Sequence, residues 1–444
     1  VLLTSRWTKL RYHPEQQRLL TSKARLKPVI AGRGGGKTEL AKRVLVASLP
    51  VPKPWRANYA YFAPTEQQAK RIAWDDLMAL TPKEWLMGGE PRRAELRLLT
   101  RWGASLWVVG LDKPSRIEGM QLDGGVVDER SDQKPGAVLK TVYPMLTHRD
   151  GWLWEIGVPK RFGPSAAEFQ QLIDDGKKGE AVQVGETRLD VEAFEWSSED
   201  IIGEDRLAWL RARLSPQDYE EQIVGRFVAA GGAAFLAFSD LNLRRCRYDP
   251  TLPVECGMDF NRNPMAWTLG HHYPGEERLE WWGEVWLEQA NTVSALDILC
   301  DRLKDHRGGV RLYPDASVNQ HHTAAQVSDL QHLYNHDGLR KLGREVIVRS
   351  SNPPVVDRIA CCNAAFLSAD GRRRMLIDPD GCPRLLADVR TRPSPTSSEA
   401  PPLKRFQGHP SDAMGYACMA ILPMTFDVED ELGGDAPVVV QKGD

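Results

Sequence analysis

The chain has 444 residues, 42% hydrophobic and 27% charged, and its 58 basic against 60 acidic side chains leave a formal net charge of -2. That length exceeds one hydrophobic core, so two domains are expected of an otherwise ordinary globular composition, and local basic patches would have to serve any nucleic-acid partner. No run of roughly 18 apolar residues exists and the amino-terminal stretch lacks a signal-peptide core, so neither membrane insertion nor export is expected.

Residues 1–26 are basic and polar around Tyr12-His13-Pro14-Glu15-Gln16-Gln17. A glutamine there offers one donor and one acceptor to an adenine edge, or is simply a surface residue of a helix. Next comes a short apolar strand, Val29-Ile30-Ala31, running into Gly32-Arg33-Gly34-Gly35-Gly36-Lys37-Thr38, and residues 39–49 read as a helix. Strand, glycine turn, Lys-Thr and helix together make a phosphate cradle: backbone N–H groups and the positive helix end surround an anion, Lys37 adds a point charge, and Thr38 is placed for a magnesium ion. Ala31 stands where the usual pattern has its first glycine, a departure because alanine takes positive φ less freely.

Residues 59–63 read as a second strand with a helix at 66–80 behind it, and 95–99 and 105–110 as two more strands around a basic turn containing Arg101. Gly124-Gly125-Val126-Val127-Asp128-Glu129 is an apolar strand ending in two acids. A carboxylate there reaches the metal of a neighbouring phosphate loop and a second one polarises attacking water, which assigns Asp128 to the metal and Glu129 to the base. Residues 152–157 form a further strand that closes at Val158-Pro159-Lys160, a polar loop that either senses a γ-phosphate or is a plain strand-to-loop junction. Helix at 165–175, a last strand at 194–196 and helical material at 205–227 complete this half. The glycines and Tyr248-Asp249-Pro250 put the boundary within 230–252, giving an α/β P-loop ATPase domain with a mainly parallel sheet at 1–240.

The pattern changes after 253. Residues 254–260, 264–271 and 278–286 read as three antiparallel strands, 292–306 as a helix and 310–315 as another strand, the order of a ribonuclease-H-like domain at 253–428. Asp259 and Asp315 end two of those strands, and Asp412 sits in His409-Pro410-Ser411-Asp412, the start of a late helix. Singly each aspartate reads as a cap or turn residue. Together they form a cluster for two magnesium or manganese ions about 4 Å apart that activate water against a phosphodiester. Glu284 is a fourth candidate ligand, or an acid on a wet edge strand. All seven cysteines lie from Cys246 onward without a C-x-x-C pair, which argues against a disulfide framework or structural zinc and for a reducing compartment. Arg372-Arg373-Arg374 reads as a basic turn that either touches a phosphate backbone or is simply solvated, and residues 429–444 as a loosely ordered tail.

These motifs, in this order, resemble the large terminase subunit of tailed double-stranded DNA bacteriophages. They are the Gly-Arg-Gly-Gly-Gly-Lys-Thr loop, Val-Val-Asp-Glu, the Gly-Val-Pro-Lys loop at 157–160, Met258-Asp259-Phe260 and His-Pro-Ser-Asp-Ala-Met-Gly-Tyr. The resemblance spans almost the whole chain and makes Arg33 and Ala31 family features. It implies Gln16 as the adenine reader, with Arg33, Gly34, Gly35 and Gly36 around the phosphates. Arg116 is implied as the arginine reaching a neighbouring subunit's γ-phosphate, with Arg101 as second choice. Residues 157–160 become a loop coupling hydrolysis to movement, and Asp259, Asp315 and Asp412 the nuclease acids.

What it further implies is an ATP- and magnesium-dependent motor that moves double-stranded DNA into a procapsid and cuts concatemers. Its partners would be the portal protein, a small terminase subunit and other copies in a pentamer, in the cytoplasm of an infected bacterium. A cellular repair helicase or nuclease is the first rival, although the chain after 253 turns to nuclease-like strands where a second motor lobe would stand. A non-catalytic DNA-binding or capsid-associated protein is the second.

Overall fold

The computed structural model describes residues 13–424 except 114–116, 118, 162, 229–230, 262, 290, 320–327 and 396–406, together with Val438–Val439. The chain divides into two compact units, one of Val1–Leu207 with Glu220–Ala229, the other of Ala208–Tyr219 with Ala230–Asp444.

The first unit contains strands β1 (Leu26–Ala31), β2 (Asn58–Ala63), β3 (Arg97–Leu99), β4 (Ser105–Gly110), β5 (Gly124–Val127), β6 (Trp152–Gly157), β7 (Ala181–Val184), β8 (Thr187–Asp190) and β9 (Phe194–Trp196). Seven of them form one sheet in the order β3-β4-β2-β5-β6-β1-β9, while β7 and β8 pair as a separate hairpin. Every neighbour pair in the large sheet is parallel except β3 with β4. A parallel sheet is covered on both faces, which explains why the runs at β1 and β5 are buried from end to end rather than alternating with polar residues. The two faces nevertheless part by the period of two. Tyr59, Tyr61 and Ala63 join Val29, Val126 and Ile156 in one core, and Ala60 and Phe62 join Leu26, Val127 and Leu153 in the other.

Register fixes where the chemistry can sit. Val29 lies opposite Ile156, and Val126 opposite Trp154, so β1 and β5 flank β6 with their carboxyl ends at one edge. Both the glycine loop after β1 and Asp128 after β5 emerge there, the edge at which open parallel sheets bind ligands. Ala31 is the last residue of β1, paired with Trp196 of β9, so it belongs to the sheet and not to the turn that follows.

The second unit holds β10 (Val254–Asp259), β11 (Met265–Tyr273), β12 (Arg278–Leu287), β13 (Val310–Pro314), β14 (Arg344–Val348), β15 (Met375–Ile377) and β16 (Val438–Val439). Their order is β15-β12-β11-β10-β13-β14-β16. Strands β10, β11 and β12 are antiparallel, β13 and β14 continue parallel from β10, and a helix at Thr292–Arg302 precedes β13. The late helix, His409–Ile421, crosses β10 so closely that a Cβ on Gly257 would stand 2.0 Å from the Ala413 carbonyl oxygen.

Several elements here have no counterpart in the sequence reading: β14, β15 and the helices Val355–Phe366 and Pro383–Thr391. Val355–Phe366 buries Arg358, Ile359 and every residue from Cys361 to Phe366, so it offers no polar face whose period would betray a helix. The arginine triplet also differs from its expected role. Arg373 donates to Asn242 Oδ1 at 2.8 Å, Arg374 is buried, and only Arg372 is exposed, in an ion pair with Asp370. Packing against their own unit occupies two of the three. Of the tail, residues 429–437 and 440–444 lie outside the described residues, and Val438–Val439 pairs with β14.

Candidate functional site

The turn after β1 is built on glycine backbone freedom. Gly34 and Gly36 take left-handed φ of 76° and 77°, and Gly36 precedes the Lys37–Ser48 helix, whose start carries no side-chain cap. The uncapped N–H groups and helix dipole therefore face the turn, which is the arrangement that holds anions. Lys37 is buried and its ammonium donates to the Gly32 carbonyl at 3.3 Å, folding back over the loop. Burial pushes its pKa down, Arg33 pushes the same way, and Glu129 and Asp128 oppose them. Three cations, Lys37, Arg33 and Lys160, and two acids thus act on one small volume, while the Arg33 side chain itself is exposed.

Asp128 meets the loop directly. Its Oδ2 accepts from Thr38 Oγ1 at 3.0 Å and from Tyr61 Oη at 2.6 Å, and Oδ1 accepts the Glu129 backbone N–H at 2.8 Å. Gln133 Nε2 donates to the Asp128 carbonyl. Burial, then the neighbouring Glu129 charge, raises the Asp128 pKa, with the Tyr61 hydrogen bond and Lys37 opposing. Glu129 itself holds a left-handed φ of 48°, at a cost of roughly 1–2 kcal/mol for a residue with a Cβ. Lys160, beyond β6, lies 3.8 Å from Glu129 Oε2 and pairs closely with Asp132. The expected loop residues, Thr38, Asp128, Glu129 and the 157–160 segment are therefore brought together.

Gln16 is also brought to the loop, on the helix Pro14–Thr21. Its Nε2 donates to the Gly35 carbonyl at 3.1 Å, and Trp196 Nε1 donates to the same oxygen at 2.8 Å. The amide donor is thus engaged with the phosphate loop. Arg101 lies exposed in the turn between β3 and β4. Arg116 lies outside the described residues. Sequence reasoning missed Tyr61, Gln133 and Trp196. Tyr61 is an apolar-looking position of a buried strand, and only the β2–β5 pairing reveals that its hydroxyl reaches Asp128.

In the second unit three carboxylates gather at the ends of β10, β13 and the late helix. Burial raises the Asp259 pKa, the negative fields of Asp315 and Asp412 add to it, and the His409 contact opposes. His409 Nδ1 lies 2.8 Å from Asp259 Oδ2, and that hydrogen bond raises the imidazole pKa. Asp315 accepts backbone N–H groups from Phe260 at 2.8 Å and Ser317 at 2.7 Å. Asp412 Oδ1 accepts Arg358 Nη2 and Arg392 Nη1, both at 3.0 Å. Tyr416, one turn further along the late helix, feels all three acids.

Proximity does not amount to a closed metal site. Among the described residues, no group of three or more His, Cys, Asp or Glu side chains is arranged to hold a metal ion. Glu284 is engaged elsewhere: its carboxylate accepts the backbone N–H groups of Arg384 at 3.1 Å and Leu385 at 3.0 Å, capping the Pro383–Thr391 helix. Arg358 and Arg392 were absent from the sequence reading, in which His409 appeared only as the first residue of the late helix. No spacing rule links the two arginines to the acids, because Arg358 lies on the Val355–Phe366 helix and Arg392 follows the Pro383–Thr391 helix.

No protein-family model matches the sequence, and no curated protein does. Solved structures do. The large terminase of a thermophilic bacteriophage aligns with 93% of this chain and 100% of its own, at 16% identity and a TM-score of 0.60. The same terminase in complex with ADP aligns with a TM-score of 0.57 at 16% identity, again covering 93% and 100%. Its complex with ATP-gamma-S aligns with a TM-score of 0.55 at 16% identity, over 92% of this chain and 99% of that one. The fold of this chain, across nearly its full length, is that of a phage large terminase. Among the described residues no helix is long and apolar enough to cross a membrane.

Proposed function

We propose that this chain is the large subunit of a viral DNA-packaging motor, hydrolysing ATP in its first unit and cutting DNA in its second. The observation that carries the reading is the 3.0 Å contact between Thr38 and Asp128, two residues from separate β–α turns that meet beside a buried Lys37. A hydroxyl and a carboxylate so paired, under a glycine turn and a helix start, are the donor set of a nucleoside-triphosphate site with its magnesium ion. The full-length likeness to a terminase solved with ADP and with ATP-gamma-S supports the same reading.

When bound, magnesium would add positive charge between Thr38, Asp128 and the phosphates. The chain's own groups do the rest. Lys37 neutralises phosphate oxygens, and a bound triphosphate favours its protonated form against the burial that now disfavours it. Gly34 and Gly36 present backbone N–H groups, Gly35 closes the turn by donating its N–H to the Gly32 carbonyl at 3.2 Å, and Arg33 is a second cation. Gln16 ties the amino-terminal helix to the loop and so couples adenine contact to phosphate contact. Glu129 orients the attacking water, and Lys160 holds that carboxylate. Arg116 supplies a cation to the neighbouring subunit, which makes an isolated subunit a weak ATPase. Five copies on the portal, with a small terminase subunit marking the start site, would form the working motor in the infected cytoplasm.

For the second unit, Asp259, Asp315 and Asp412 are the acids proposed for magnesium- or manganese-dependent phosphodiester hydrolysis. As arranged they do not close a metal site, so no hydrolytic step follows from the geometry alone. Magnesium-dependent phosphate release tests the first half: the wild type turns over ATP, with a rate per subunit that rises with protein concentration, and Thr38→Ala and Asp128→Asn abolish it. Turnover that survives both substitutions would overturn the reading. A rate independent of concentration and unaffected by Arg116→Ala would remove the arginine in trans.

A further inference from the structure

The third acid of the cluster is held differently from the other two. Asp259 meets an imidazole and Asp315 meets backbone N–H groups, whereas Asp412 carries two guanidinium groups on a single oxygen. Both arginines are buried, Arg358 at 5% and Arg392 at 3% exposure. A guanidinium presents a planar fork of donors, which suits it to hold a carboxylate oxygen in a buried site.

The fold is shaped for the contact. Arg358 comes from the buried Val355–Phe366 helix and passes over Gly415, one turn beyond Asp412, where an added Cβ would stand 3.3 Å from the Arg358 Cβ. Its guanidinium then rests on the Tyr416 ring, 4.4 Å from the centroid, and reaches Asp412. Arg392 is fixed independently by the Gly408 carbonyl at 3.2 Å and Ser411 Oγ at 2.6 Å. Arg358 has no comparable set: its Nε–H is buried and has no partner among the described residues. Arg392 is therefore part of the helix start, whereas Arg358 reaches Asp412 from a different helix with its guanidinium resting on the Tyr416 ring.

We propose that Arg358, backed by Arg392, is a latch on the proposed nuclease acids: it occupies Asp412 in place of a divalent cation, so the third carboxylate joins a metal set only when the guanidinium gives way. The inference rests on the nuclease reading above. It gives a physical reason why three neighbouring acids form no closed metal site. It also makes the metal affinity of the second unit a property set by an arginine on another helix. Arg358 is a positioning residue, acting through Asp412.

The test is a calorimetric titration of the full chain with manganese, without nucleotide, taking as the acid-site signal the binding that Asp259→Asn removes. Arg358→Gln is expected to tighten that binding by roughly five- to tenfold, the scale of one lost competing interaction. In an Asp412→Asn background the same change is expected to alter it less than twofold, because the latch has lost its carboxylate. Arg358→Lys, which keeps the charge but not the planar fork, is expected to show part of the gain. Binding that is unchanged or weaker in Arg358→Gln, or an equal gain with Asp412→Asn, overturns the latch and assigns Arg358 a structural or general field effect. If Asp259→Asn removes no manganese binding from the wild type, the nuclease reading itself fails.

Discussion

The two candidate sites use acids in opposite ways. At the glycine loop, Asp128 is held by neutral donors, Thr38 and Tyr61, which leave its charge available to a metal. At the second site, Asp412 is held by two fixed cations, which neutralise it. The first arrangement is ready for its ligand and the second is guarded against it. The packaging motor proposed above would have a physical use for that asymmetry: one site open at every cycle, the other closed until its surroundings change.

The largest expected effect breaks the open side. Lys37→Ala should lower magnesium-dependent phosphate release by about 10²–10³-fold, the scale of losing one preorganised charge partner, with the melting temperature retained. A loss under tenfold would mean that the buried lysine serves the loop and not the phosphates.

Next comes the guarded side, where the acids depend on a close backbone crossing. Gly257→Ala would force β10 and the late helix apart, since its Cβ would meet the Ala413 carbonyl oxygen. The expected cost is about 1–3 kcal/mol of stability, read by denaturant unfolding, together with loss of metal-dependent cleavage. Unchanged stability would show that the crossing is looser than described.

A smaller change sharpens the contrast. Tyr61→Phe removes one neutral donor from Asp128 and should cost about 1 kcal/mol in the magnesium dependence of turnover. An effect as large as that of Lys37→Ala would make Tyr61 part of the chemistry rather than a holder of Asp128.

The smallest effect concerns pH. His271 in β11 accepts the Asp249 N–H on Nε2 at 3.0 Å and faces the Pro253 carbonyl at 2.8 Å through Nδ1, so it is held neutral. Burial lowers its pKa from the ordinary 6.5. The unfolded chain then binds a proton that the folded one refuses, so the contribution to stability is full above pH 6.5 and is lost as pH falls below it. Melting of the second unit should drop between pH 7.5 and 5.5 more in the wild type than in His271→Asn. Equal drops would exclude this histidine as the source.

The same contrast runs through what could be read from the sequence. The glycine loop, Asp128 and Glu129 are local words, each written in adjacent residues, and the mainly parallel sheet that joins them follows from alternating strand and helix patterns, although its strand order does not. The acids Asp259, Asp315 and Asp412 were visible as strand and helix ends. What holds them was not. Arg358 and Arg392 sit on or beside helices that the pattern did not disclose, one because it is buried nearly all round, and only tertiary packing brings them to Asp412. Glu284 shows the reverse: an acid read as a fourth candidate ligand or a solvated strand residue, whose carboxylate accepts the first N–H groups of a helix that the sequence reading had not found.

The central claim is that one chain carries two separable chemistries. It is tested by assaying magnesium-dependent ATP turnover and manganese-dependent plasmid cleavage on one preparation of the full chain, beside Lys37→Ala and Asp259→Asn. The account predicts that the wild type shows both activities, that Lys37→Ala loses phosphate release but still cuts, and that Asp259→Asn still releases phosphate but no longer cuts. A wild type with neither activity, or cleavage that survives Asp259→Asn, would contradict it.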